Sequence, residues 1–147
     1  MQASVFISGA AQGIGAEIAR LFHKNGYKVG IYDINQELAE QLATELGENA
    51  KAGYLDVSNY RQWQIALQEF RNWAGELNIL VNNAGILYSK KKKKTDIQSH
   101  HRTIDINVKG VINGCHTALN HLQQARFARV INLSSASAIY GQADLAS

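Results

Sequence analysis

Three glycines, Gly9, Gly13 and Gly15, follow the apolar run Val5-Phe6-Ile7 and lead into a segment with helical periodicity. A turn without Cβ atoms at the start of a helix lets main-chain N–H groups come close to a diphosphate, whose negative charge the helix N-terminus favours. An acidic residue, Asp33, closes the next apolar run 18 residues after Gly15. From that spacing a carboxylate accepts hydrogen bonds from an adenosine ribose. Together they predict a site for an adenine dinucleotide and favour NAD. A ribose 2′-phosphate beside Asp33 would meet like charge, and neither Gln12 nor Ile34 supplies a cation to neutralise it.

A glycine turn by itself is also the ordinary way from a strand into a helix, so the elements around it matter. Short apolar, mostly β-branched runs at 4–8, 28–32, 51–56, 78–82 and 129–134 predict five strands. Between them lie apolar stripes at helical spacing: Ile14, Ile18, Leu21 and Phe22, then Leu38, Leu42 and Leu46, then Trp63, Ala66, Leu67 and Phe70. The last and longest carries Ile104, Val108, Val111, Ile112, Cys115, Leu119 and Leu122, so four helices are predicted. Gly26 and Gly47 stand where the first two should end, and Ser58 or Asn59 can cap the third. The βαβ rhythm predicts an α/β fold, a doubly wound parallel sheet covered on both faces. Right-handed crossovers, with a reversal after the third strand, give the order 3-2-1-4-5 and put ligands at the carboxyl ends of the strands.

The glycine spacing is Gly-x-x-x-Gly-x-Gly, and further motifs fall at strand ends or on the long helix: Asp56-Val57, Asn82-Asn83-Ala84-Gly85, Asn107 and Ser134-Ser135. In this combination the chain resembles the short-chain dehydrogenase/reductase family along its whole length, with Ser8 where the family more often has threonine. The resemblance implies that Gly9, Gln12, Gly13, Ile14 and Gly15 cradle the diphosphate side of NAD and that Asp33 and Ile34 lie at the adenine ribose. It further implies that Asp56 and Val57 bracket the adenine and that Asn83, Ala84 and Gly85 line the cofactor floor. Of the family's catalytic groups, Asn107 matches the asparagine that breaks the fourth helix and positions a proton-relay water. Ser135 matches the serine that hydrogen-bonds the substrate oxygen, and the family's count to its tyrosine prefers it to Ser134.

That tyrosine is expected one place beyond Ser147, with the lysine of Tyr-x-x-x-Lys four residues after it. In the family the tyrosine hydroxyl exchanges the proton and the lysine lowers its pKa, as general acid–base catalysis requires. Tyr140 stands five residues after Ser135 with no lysine after it, and reads as an ordinary loop aromatic. Residues 1–147 are therefore expected to form a single dinucleotide-binding domain, incomplete at its C-terminus and inactive alone, with an uncovered fifth strand that favours association. The intact protein is expected to transfer a hydride between NAD(H) and a carbonyl or secondary alcohol. Family members commonly pair through the long fourth helix, which implies a dimer or tetramer. The rival reading is a non-catalytic NAD-binding or interaction module. A methyltransferase, with a similar sheet and first glycine loop, ranks last because Asn-Asn-Ala-Gly and the paired serines argue against it.

Composition narrows the classes further. The formal charge is +3, yet the lysine run at 90–94 holds five of the fifteen basic residues, and the remaining ten face twelve acidic ones. The basicity is local and reads as a solvated loop, so nucleic acid is not implied. No stretch of eighteen apolar residues occurs and the N-terminus lacks the layout of a signal peptide, so a cytoplasmic protein without membrane contact is expected. Cys115 is alone, cannot form an internal disulfide, and reads as core packing. The five histidines show no paired spacing with a nearby glutamate, and no metal is expected. Trp63 and Trp73 read as packing rather than as a base-stacking platform.

Overall fold

A computed structural model describes residues 2–87 and 96–140; the lysine run lies outside the described residues. The chain alternates strand and helix: β1 (Ser4–Ser8), α1 (Gly13–Lys24), β2 (Lys28–Asp33), α2 (Gln36–Leu46), β3 (Ala50–Tyr54), α3 (Tyr60–Ala74) and β4 (Ile79–Asn82). Then follow α4 (Ile97–Ile104), a π-helical turn (Asp105–Lys109), α5 (Gly110–Gln123), β5 (Arg129–Asn132) and a 3₁₀ turn (Ala136–Ala138). The strands are all parallel in the order β3-β2-β1-β4-β5, as the rhythm of the sequence predicts.

Strand alternation splits the core in two. Val5 and Ile7 of β1, Val29 and Ile31 of β2, and Ile79 and Val81 of β4 face α1 and α2. Phe6, Tyr32 and Leu80 face the other way, beneath Trp63, Leu67 and Phe70 of α3. There Phe6 stacks on Tyr32 at 4.2 Å and meets Phe70 edge-on at 5.4 Å, offset and edge geometries that aromatic quadrupoles favour. Trp63 is fully buried and donates its indole N–H to the Val57 carbonyl at 3.0 Å, while Trp73 borders the same core, so both are packing residues.

Element boundaries differ from the sequence reading in small, explicable ways. β2 extends by one residue to take in Asp33, whereas β3 runs over Ala50–Tyr54 and leaves Leu55 and Asp56 in the following loop. Asn78 stays outside β4, where its side chain instead accepts from the Ser4 amide at 2.9 Å. β5 ends at Asn132, two residues short of Ser134. Asn59, not Ser58, caps α3, accepting from the Gln62 amide at 3.2 Å. The long fourth helix is in fact two helices joined by the π turn, and it begins at Ile97.

The larger correction concerns which helix faces are buried. Ile14 and Leu21 are exposed, and α1 buries Gly15, Ala16 and Ala19 instead. Ile104, Val108, Ile112 and Leu119 are exposed and Cys115 is only half-buried, while α5 buries Gly110, Gly114, Ala118 and Leu122. The reason is close approach. A Cβ on Gly110 would stand 2.8 Å from Val57 Cγ2, and one on Gly114 would stand 2.8 Å from the Trp63 ring. A helix this near its neighbours presents its smallest side chains to them and turns its large ones outward.

A polar clamp ties α3 to α5. Arg71 donates through Nη1 to Nδ1 of His121 at 3.1 Å and to Oε1 of Gln124 at 2.8 Å. Partial burial, with the Arg71 charge beside it, holds the His121 pKa below its usual 6.5. The folded protein therefore takes up this proton less readily than the unfolded chain, so this contribution to stability is intact above pH 6.5 and is lost as pH falls toward the lower folded value. We expect the thermal midpoint to fall between pH 7.5 and 5.5, and to fall less in His121→Gln. Equal slopes in the two proteins would show that the clamp does not titrate.

Candidate functional site

The carboxyl ends of β1, β2 and β4 and the loop after β3 converge on a cleft of about 420 Å³. Its first wall is the turn between β1 and α1. Gly9 adopts φ +65°, and a Cβ there would stand 2.6 Å from Ala84 Cα. A Cβ on Gly15 would press into the Gly9 carbonyl and lie 2.5 Å from Asn83 Nδ2. Gly9, Gln12, Ile14 and Gly15 all line the cleft. Gly13, at φ +58°, faces open space and borders a neighbouring hollow along α1 rather than the cleft itself.

Two reciprocal ties hold this turn against the end of β4. Asn83 Nδ2 donates to the carbonyls of Gly9 at 2.7 Å and Ser8 at 3.1 Å. In return the Ser8 hydroxyl oxygen accepts from the amides of Asn83 at 3.2 Å and Ala84 at 3.3 Å. The hydroxyl supplies the function here, which is why serine serves where threonine is commoner.

Asp33 sits across from the glycine turn. Its Oδ2 accepts from the Ala11 amide at 3.0 Å and its Oδ1 from the Asn35 amide at 2.9 Å. Asn35 in turn caps α2, accepting from Leu38 at 3.2 Å, so the carboxylate is fixed by the same turn that starts the helix. Ile34 is exposed on the cleft wall beside it.

The third side comes from the loop after β3. The Asp56 carboxylate is turned back on its own chain, accepting from the Ser58 amide at 3.0 Å and hydroxyl at 2.7 Å, while Val57 is buried at the cleft's edge. Asn83, Ala84 and Gly85 form the remaining side with Ile86. Among the described residues, sequence reasoning missed four that line the cleft, Leu55, Ile86, Arg102 and Ile106. Leu55 and Ile86 adjoin recognised motifs, and Ile106 precedes Asn107, so their neighbours were the available signal. Arg102 carried none.

Asn107 lies in the π turn, and its side chain closes a two-way bond with Ile86: the Ile86 amide donates to Oδ1 at 2.8 Å and Nδ2 donates to the Ile86 carbonyl at 2.9 Å. The expected local break in the helix is therefore present, although the amide is spent on the cleft wall. Ser135 is not brought to the cleft among the described residues. It caps the 3₁₀ turn, and its hydroxyl lies 2.6 Å from that of Ser137. Tyr140 is 72% exposed.

Residues 3–147 match the family model for short chain dehydrogenases. The chain belongs to the short-chain dehydrogenase/reductase family. It is 34% identical over 131 residues to the 3-beta-hydroxysteroid dehydrogenase of Comamonas testosteroni, covering 89% of this chain and 51% of that protein. It is 33% identical over 135 residues to the 3-alpha-(or 20-beta)-hydroxysteroid dehydrogenase of Mycobacterium tuberculosis, covering 92% and 52%. Among solved structures, a 3-ketoacyl-(acyl-carrier-protein) reductase from Brucella melitensis complexed with NADH superposes with a TM-score of 0.92 at 29% identity, over 98% of this chain and 62% of that one. The chain thus spans about half the length of the curated relatives it matches. The parallel sheet in the order 3-2-1-4-5 is the family's Rossmann fold. No helix among the described residues is long and apolar enough to cross a membrane.

Proposed function

We propose that this protein binds NAD(H) in the cleft and, as part of the intact enzyme, exchanges a hydride with a carbonyl or secondary alcohol. The observation that carries the reading is the Asp33 carboxylate anchored on the glycine turn by the Ala11 amide at 3.0 Å. A turn in which a Cβ at Gly9 or Gly15 would collide, opposite a fixed carboxylate, fits a diphosphate with its adenosine ribose.

When bound, the cofactor would donate the hydride to a carbonyl or accept it from an alcohol; the chain's part is to bind and orient it. Gly9, Gly13, Ile14 and Gly15, with Gln12, would hold the diphosphate at the start of α1. Asp33 would accept from the ribose hydroxyls, with Ile34, Asp56 and Val57 around the adenine. Asn83, Ala84 and Gly85 would form the floor beneath the nicotinamide half. Asn107 would act through the backbone of its π turn, since its amide is occupied by Ile86. The assignment of Ser135 to the substrate oxygen rests on the family resemblance. We read residues 1–147 as one dinucleotide-binding domain of a cytoplasmic enzyme, and the exposed Ile104, Val108, Ile112 and Leu119 support pairing with a second copy through α4 and α5.

The preference for NAD over NADP follows from Asp33, because no cation flanks it at Gln12 or Ile34. Calorimetric titration of the full-length protein should give tighter binding of NADH than of NADPH. Equal or reversed affinities would overturn the preference, and binding of neither would overturn the dinucleotide reading.

A further inference from the structure

Among the described residues that line the cleft, Arg102 is the one cation, set against the carboxylates of Asp33 and Asp56. It is exposed on α4, and its side chain has no hydrogen bond or ion pair among the described residues. Four residues on, in the π turn, Ile106 also lines the cleft. Ile34, Leu55, Val57 and Ile106 give the cleft apolar lining beside Asp33 and Asp56, where the adenine is placed above, and Arg102 lines the same cleft from α4.

A guanidinium is planar, weakly hydrated and able to lie flat on an aromatic face, which a compact ammonium cannot do. Among the described residues the Arg102 guanidinium reaches no carboxylate, and Asp105, three residues along, is paired with Lys109 instead. We propose that Arg102 closes over the adenine ring of the bound cofactor and is an affinity-determining residue for its adenosine half. This rests on the dinucleotide reading above. It gives a role to a guanidinium that has no side-chain partner among the described residues and stands in a cleft whose other described side chains are neutral or acidic.

The test is calorimetry with NADH and with ADP-ribose, which lacks the nicotinamide, on the full-length protein and its Arg102→Met and Arg102→Lys variants. Methionine keeps the aliphatic stem and removes the charge and the plane. Binding of both ligands should weaken by about three- to thirty-fold in Arg102→Met, the range of a partly to fully desolvated cation–π contact. Arg102→Lys should recover only part of that loss. Unchanged NADH affinity in Arg102→Met would overturn the proposal, as would a loss confined to NADH with ADP-ribose unaffected. Full recovery by lysine would assign the effect to charge alone and would also overturn it. If the unaltered protein binds neither ligand, the dinucleotide reading fails instead, so the two failures are distinguishable.

Discussion

Gly15→Ala is expected to destabilise the fold by about 1–3 kcal/mol, although alanine is the better helix former by about 1 kcal/mol. The new methyl group would meet the Gly9 carbonyl, Asn83 Nδ2 at 2.5 Å and Ala10 Cα at 2.9 Å, and most of these neighbours are backbone that cannot turn aside. Gly9→Ala should lose more, about 2–5 kcal/mol. It adds the strain of a non-glycine residue at φ +65° to a 2.6 Å clash with Ala84 Cα. Denaturant unfolding measures both. Gly26→Ala is the control, for Gly26 also has positive φ but open space around the new Cβ, and should lose only about 1–2 kcal/mol. If Gly9→Ala proves no worse than that control, the close contact between the glycine turn and the end of β4 is not what holds the cleft's first wall.

Asp33→Ala should weaken NADH binding roughly a hundredfold or more, because hydrogen bonds to a charged acceptor contribute about 1.5–3 kcal/mol each and a ribose offers two hydroxyls. The substitution also leaves the amides of Ala11 and Asn35 without their acceptor, so some loosening of the turn is expected. The ratio of NADH to NADPH affinity separates the two effects. A loosened turn weakens both cofactors alike, whereas removing the negative charge relieves the repulsion of a 2′-phosphate and shifts the ratio toward NADPH. A ratio equal to that of the unaltered protein would show that Asp33 shapes the turn without reading the ribose.

The order of elements, the sheet topology and most of the cleft were legible in the residues because each rests on a local signal. Strand runs, glycine turns and the cap at Asn59 are written within a few positions of one another. Asp33 was legible because its spacing from Gly15 follows from the length of one helix and one strand. The helix faces were harder. A scan for large apolar side chains selects Ile14, Leu21, Val108, Ile112 and Leu119, all exposed, and passes over Gly15, Ala19, Gly110, Gly114 and Ala118, which are buried. Where a helix packs very close, the smallest residues are the contact, and a hydrophobicity pattern does not register them. Arg102 was missed for a related reason: its place in the cleft depends on how α4 stands on the sheet. Ser135 could be aligned to a family motif, yet a motif gives position in the chain and not distance from the cleft.

The π turn at Asp105–Lys109 has a geometric consequence. It places one residue more in a turn than an α-helix would, so everything before it is rotated by about 100° relative to everything after it. That offset lets α5 show its glycines to α3 and β4 while α4 shows Arg102 and the turn shows Ile106 to the cleft. Were one residue removed there, both helices could persist at nearly full helical content, but their azimuths would no longer suit both tasks. The segment thus acts as a phase adjustment between a scaffold that must fit closely and a rim that must face a ligand.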